Sequence, residues 1–211
     1  MRREDTKEII LEKALELFSQ HGYDSVSVGE IAKAVGIKAP SLYNHYPSKR
    51  AIFDAIVEAT AKRYEKYTNG VKVHVSDAEK DIGVFSDITV ESLAEKVKSI
   101  FVYSLHDEWI SRFRRMMTIE QFRSLELSEL YTERYVERMI VYHAGIFKGL
   151  VECGELKEED PELLSLMYVS PIITLLGVCD RQPEKETECL EKLDAHVRLF
   201  YRTFNKRFSA N

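Results

Sequence analysis

Apolar side chains recur along nearly the whole chain at steps of three and four, the period of one helical face. Ile10, Ala14, Leu17 and Phe18 predict a first helix over residues 4–21, ended by Gly22. Ser27 followed three residues later by Glu30 is a capping box, in which each side chain satisfies a free N–H at a helix entry. Ile31, Ala32 and Val35 then supply an apolar face, Gly36 a left-handed turn, and Ile37 a return to the core. Pro40 is tolerated only in a first helical turn, so the next helix begins near Lys38 or Ala39. Pro47 biases Tyr46 out of helical geometry and closes it. Ser48 caps a longer helix, marked by Ile52, Phe53, Ile56 and Val57 and running to Tyr67.

Asn69-Gly70 breaks the pattern, and residues 70–88 are expected to form a loop with a brief extended VKVHV segment and room for one short helix. Thr89 opens a periodic run through Leu93, Val97, Ile100, Phe101 and Leu105. His106-Asp107-Glu108 separates it from a second run through Trp109, Ile110, Phe113, Met116 and Met117, ending near Phe122. Leu127 to Val151 predicts a third helix, closed by Gly154. Glu159-Asp160-Pro161 places acid and proline in the first turn of a helix that reaches Val178, apolar on nearly every side and kinked at Pro171. The last helix, residues 184–208, carries Leu190, Leu193, Val197, Phe200 or Tyr201, Phe204 and Phe208 at bundle-seam spacing. The expected fold class is all-α.

Charge adds what periodicity lacks. The 211 residues suffice for a core, and a net charge of −5 with a pI near 5.8 argues against a generally basic nucleic-acid coat. Residues 1–68 hold 11 Lys/Arg against 10 Asp/Glu, and the remainder 19 against 25. Between Glu30 and Asp54 there is no acidic residue, while Lys33, Lys38, Lys49 and Arg50 are present. A helix, a glycine turn and a short second helix make the helix-turn-helix unit whose second helix enters a DNA major groove. A packed helical hairpin with solvated lysines remains the alternative.

Three cysteines, Cys153, Cys179 and Cys189, lack CxxC spacing and fit a reducing cytoplasm as small buried hydrophobes. The N-terminal residues lack the apolar core and cleavage site of a signal peptide. Leu163 to Cys179 is uncharged but short for a span and carries Ser165, Ser170, Pro171 and Thr174, so a helix buried between subunits is expected, and no membrane partner. An enzyme would need a nucleophile, an acid–base pair or a metal set. GxSxG, HExxH and phosphate-loop motifs are absent, and Glu133, Glu137 and His143 are poorly spaced for a metal, so neither catalysis nor a cofactor is expected. Trp109, Phe113, Met116, Met117, Phe122, Tyr131, Tyr135, Tyr142, His143, Phe147 and Tyr168 together have the composition of an apolar ligand pocket with a few orienting polar tips. Taken singly, each is more readily read as an ordinary core residue.

Leu42-Tyr43-Asn44-His45-Tyr46-Pro47-Ser48-Lys49, preceded by Ile31-Ala32 and Gly36-Ile37, resembles the DNA-binding domain of TetR-type bacterial transcriptional regulators. The resemblance covers residues 5–60, with Tyr46 where Phe is usual and Pro40 where Gly is often found. It implies an N-terminal three-helix helix-turn-helix domain over residues 1–50, a linker helix over 48–68, and a C-terminal helical ligand-binding and dimerisation domain over 69–211. Tyr43, His45 and Lys49 then resemble phosphate contacts, and Lys38, Ser41 and Asn44 base-edge candidates, with Ser27, Ala39 and Pro40 beside them. Implied partners are a double-stranded DNA operator, a small-molecule effector, and a second copy meeting it through Met167, Pro171, Leu175, Leu190, Leu193, Val197, Tyr201 and Phe204. A ligand-binding or protein-interaction module with a purely structural helix-turn-helix is the competing reading.

Overall fold

The computed structural model describes residues 3–208. Among them the elements are helical: α1 (Arg3–His21), α2 (Val28–Val35), α3 (Ala39–Tyr43), α4 (Lys49–Gly70), α5 (Ala78–Ser86), α6 (Val90–His106), α7 (Glu108–Glu120), α8 (Leu125–Thr132), α9 (Arg138–Glu152), α10 (Pro161–Arg181) and α11 (Glu186–Phe204). One π-helical turn, Glu133–Glu137, joins α8 to α9, so the single helix expected over 127–151 is continuous but underwound at its middle. Helix α4 runs three residues past Tyr67, through the Asn69-Gly70 pair expected to end it. The left-handed residue that follows is Lys72, at φ 59.

Two compact units result: residues 1–64 with 107–131, and 65–106 with 132–211. This departs from the expected boundary at residue 69. The first unit includes α7, because the face of α7 formed by Trp109, Phe113, Met116 and Met117 is buried in this unit, where α7 packs on α1. Ile10, Ala14, Phe18, Ile31, Leu42, Ile52, Phe53 and Ile56 complete this core, all almost fully buried. The indole N–H of Trp109 donates to Thr60 Oγ1 at 2.8 Å, and the Arg63 guanidinium lies 4.8 Å above the Trp109 ring. Both groups are therefore used within the unit.

In the second unit α9 packs on α5 and α10, and α11 on α10 and α6. Gly149 allows the approach of α5, since an added Cβ would overlap Ile82. Asp81, fully buried on α5, accepts from the His74 N–H at 2.5 Å and from the Tyr142 hydroxyl of α9, and its other oxygen meets His74 Nδ1 at 2.5 Å. Burying that carboxylate is tolerable because three groups solvate it. Asp160 caps α10, accepting the N–H groups of Glu162 and Leu163, each at 2.9 Å.

The seam expected to join two subunits is partly internal. Leu193, Val197 and Tyr201 are buried within their own unit, and the Tyr201 hydroxyl donates to the Ile88 carbonyl at 3.0 Å. Their three- and four-residue spacing marks a buried face without saying which helix covers it. Val197→Glu is accordingly expected to abolish folding rather than yield a folded monomer, because an unpaired carboxylate would enter a dry core. Circular dichroism and urea titration check this; a cooperative transition at the native midpoint would contradict it.

Candidate nucleic-acid interface and ligand site

The interface begins with two reciprocal caps. The Ser27 N–H donates to Glu30 Oε2 at 2.7 Å, and the Glu30 N–H to Ser27 Oγ at 3.2 Å, which closes the predicted capping box and holds the Glu30 carboxyl below its usual range. Gly36 ends α2 at φ 79, and its neighbour Ile37 bonds back to the Ala32 carbonyl at 3.0 Å. Lys38, in extended geometry, stands at the N-cap of α3, and Pro40 lies in its first turn. Helix α3 is only five residues long, ending three residues before the expected limit at Tyr46. It is held by Leu42, which is fully buried, and presents Lys38, Pro40, Ser41, Tyr43 and Asn44 outward, with Tyr43 51% exposed. Ala39 and His45 are half-buried, and Nδ1 of His45 is enclosed with no hydrogen-bond partner.

Lys49 departs from the expectation of a free phosphate contact. Its ammonium donates to the carbonyls of Tyr23 at 2.8 Å and Val26 at 3.0 Å and lies 4.3 Å over the Tyr23 ring. It ties the α1–α2 turn to the start of α4. The neighbouring Arg50 bonds to Asp54 at 2.7 Å and pairs with Glu126 of α8. Sequence reasoning missed Tyr23 and Glu126 altogether, since neither lies in a motif.

The eleven residues expected to line one ligand pocket divide between the units. Trp109, Phe113, Met116 and Met117 are core of the first, while Phe122, 89% exposed, follows the end of α7 and Tyr131 is half-buried at the end of α8. In the second unit Tyr135 is half-buried and the Tyr142 hydroxyl is committed to Asp81. His143, Phe147 and Tyr168 do come together. The His143 ring lies 5.3 Å from Tyr168 and 6.2 Å from Phe147, and the cluster extends through Phe200 to Phe204 and through Tyr168 to His196, all three on α11, a helix that the expected ligand list left out.

The chemistry of this cluster is that of neutral donors and acceptors. His143 donates from Nδ1–H to the Met139 carbonyl at 2.7 Å, since a carbonyl can only accept, which leaves Nε2 as an acceptor. Burial among rings pushes the His143 pKa down to about 4 and the Tyr168 hydroxyl well above its ordinary range. Both are uncharged at neutral pH. No group of three or more metal-ligating side chains occurs among the described residues. Burial also pushes the Cys179 thiol, beside Cys189, up to about 12, so it is a core group and a poor nucleophile.

A capped helix, a glycine turn and a short outward-facing helix define a helix-turn-helix DNA-binding protein. Residues 10–56 match the family described as bacterial regulatory proteins, tetR family. The chain is 26% identical over 202 residues to the probable HTH-type transcriptional regulator YttP of Bacillus subtilis, covering 94% of this chain and 88% of that one. Over 52 residues it is 44% identical to IcaR of Staphylococcus aureus, the negative transcriptional regulator of the biofilm operon icaADBC, a match to 25% of this chain and 28% of IcaR. The fold is shared with SmeT in complex with triclosan, at a TM-score of 0.70 and 18% identity over 95% of this chain and 92% of SmeT. SmeT is the repressor of the Stenotrophomonas maltophilia multidrug efflux pump SmeDEF. A TetR transcription regulator from Haloarcula marismortui gives 0.69 and 14% over 96% and 99%. Residues 10–56 therefore match a DNA-binding domain of the tetR family, and the chain as a whole shares the helical fold of TetR-type transcriptional regulators.

The His143 imidazole, half-buried among rings with its pKa pushed down, leads to the expectation of a pH dependence. A histidine whose folded-state pKa lies below its unfolded value opposes folding once the unfolded chain takes up a proton, so stability falls as pH drops from about 6.5 toward 4. The slope from this one proton is at most about 1.4 kcal/mol per pH unit. His143→Phe should flatten the change in urea midpoint between pH 7 and pH 5 relative to the unsubstituted protein; an identical change in both would place the acid sensitivity elsewhere.

Proposed function

We infer that this regulator acts as a cytoplasmic homodimeric repressor that binds a pseudo-palindromic operator and is released by a small, largely apolar, uncharged effector. One observation carries the DNA-reading part: α3 and its N-cap present Lys38, Ser41, Tyr43 and Asn44 on one exposed surface in a stretch free of carboxylates. Lys38, Ser41 and Asn44 are the base-edge candidates, and Asn can bond adenine bidentately. Tyr43 and His45 are candidates for phosphates, with Ala39 and Pro40 close to the backbone. Ser27 and Lys49 serve by holding α2 and the turn before it. The reading head then comprises residues 1–50 together with α7, α8 and the first part of α4.

The effector site we favour is the His143, Phe147 and Tyr168 cluster, whose neutral polar tips suit a ligand with one hydroxyl or amide and otherwise apolar surface. A ligand shifts the DNA-bound population only through its differential affinity for the two states, about 5.5 kcal/mol for a swing from 1:99 to 99:1. For the dimer, the supporting observation is the apolar outer side of α10 and α11. Leu163, Leu166, Met167 and Leu199 are each about half exposed or more. Helix α10 is long and apolar enough to cross a membrane, with 28% of its most apolar window buried. A second copy covering that side accounts for the composition without a bilayer. Of the residues first expected there, Met167, Pro171, Leu175, Leu190 and Phe204 retain partly open surface.

Fluorescence anisotropy on duplex DNA at a series of salt concentrations tests the DNA reading. Each neutralised phosphate contributes about 0.9 to the slope of log affinity against log salt, so a steep negative slope is expected, and a flat one would favour the ligand-binding module without DNA. Asn44→Ala should relax preference at one base position by about 1–3 kcal/mol. Loss of equal size on every duplex would count against base reading by Asn44. Leu199→Glu with Met167→Glu should give a folded monomer by light scattering, whereas an intact dimer would move the interface off α10 and α11.

A further inference from the structure

We propose that Glu120, the last residue of α7, is a positioning residue for DNA reading: together with Lys49 it clamps the α1–α2 turn and so fixes where α2 and α3 stand. The inference rests on the DNA-reading function of α3. Glu120 is fully buried, which an unpaired carboxylate does not tolerate. Its Oε1 accepts the Tyr23 N–H at 3.0 Å, 97 positions away in sequence, and faces Arg123 Nη1 at 3.2 Å. Its Oε2 is buried with no hydrogen-bond partner, a cost the fold carries to hold the other oxygen on the turn.

The turn is shaped to receive it. Gly22 has φ 83, and a Cβ added there would overlap Glu120 Oε1 and come within 2.9 Å of Arg123 Nη1. The backbone geometry demands glycine, and a side chain there would also push the Glu120 carboxylate off the turn. The same residue whose N–H meets the carboxylate offers its carbonyl to the Lys49 ammonium at 2.8 Å. Tyr23 is thus held by an anion on its amide and a cation on its carbonyl, and its ring is wedged between Phe18 at 5.2 Å and Phe53 at 5.0 Å. Val26, whose carbonyl Lys49 also holds, directly precedes Ser27, whose capping box with Glu30 opens α2. Displacing the turn displaces the N-terminus of α2, and α3 follows through the Gly36 turn. A charge-assisted bond to a backbone N–H is stronger and shorter-ranged in its geometric demand than a packing contact, so this one sets position rather than merely adding burial.

The test uses the full-length protein and a duplex that the unsubstituted protein selects from a random pool. Glu120→Ala should weaken affinity for that duplex by about ten- to a hundredfold, the range expected for a lost charge-assisted bond, while leaving affinity for random duplex within about twofold. The slope against salt should not change, because no phosphate contact is removed. Glu120→Gln, which still offers a carbonyl oxygen to the Tyr23 N–H, should recover most of the loss. Amide exchange at Tyr23 should be slow in the unsubstituted protein and Glu120→Gln and fast in Glu120→Ala. If Glu120→Ala does not fold, Glu120→Asp, which keeps the charge but withdraws it by one methylene, decides the matter by the same two readouts. Selected-duplex affinity unchanged in the folded variant, an equal loss on random duplex, or failure of Glu120→Gln to recover affinity would each overturn the positioning role. Failure of the unsubstituted protein to select any duplex would overturn the DNA reading as well.

Discussion

Helices α2 and α3, eight and five residues long, are too short to be stable alone, and everything the protein does with DNA depends on other elements holding them. Three kinds of restraint converge on them. Ile31, Ala32 and Leu42 bury their inner faces, with α2 packed on α1 and on α3. The Ser27–Glu30 box fixes the entry of α2, and Gly36 fixes the angle at which α3 leaves it. Ahead of these, the Gly22–Val26 turn is gripped by Lys49 and by the end of α7. The outcome is a rigid support for a small outward surface, as sites built for positional accuracy require.

Much of this local structure was legible in the sequence because its determinants are local. A capping box, a left-handed glycine and a first-turn proline each act over three or four residues, and Ser27, Gly36, Pro40, Asp107 and Asp160 all do what their positions imply. The partners of long helices were not legible. Periodicity through Trp109, Phe113, Met116 and Met117 correctly predicts a buried face of α7, yet that face packs in the reading head instead of lining a ligand pocket. The same ambiguity turned Leu193, Val197 and Tyr201 from expected subunit contacts into internal core. One signal was available and passed over: Glu120 follows Met116 by four positions on the apolar face of α7, and a carboxylate at a core position demands a partner.

The second unit shows how polar groups are made compatible with an apolar interior. Asp81 is solvated by His74 and Tyr142, Ser165 donates to the Ile140 carbonyl at 2.7 Å, and His196 meets the Tyr168 carbonyl at 2.8 Å. Helices α5, α9, α10 and α11 are thereby registered by a few directional bonds within a non-directional packing. His143 and Tyr168 stand apart from this pattern. Each lies among rings with its polar tip neutral, and the tautomer of His143 is fixed by Met139. In the proposed effector site such groups would select a ligand by hydrogen-bond complementarity and exclude a charged one by the cost of desolvation.

The central claim is that two reading heads act together on one face of a duplex. Two recognition helices of a dimer fall on successive major-groove faces about 34–36 Å apart, so the DNA sequence carries the symmetry of the protein. Selection of bound duplexes from a fully random pool, followed by sequencing, measures this directly. The account predicts inverted repeats whose half-site centres lie about one helical turn, or a whole multiple of it, apart. Recovery of single, unrepeated sites bound with equal affinity would contradict it.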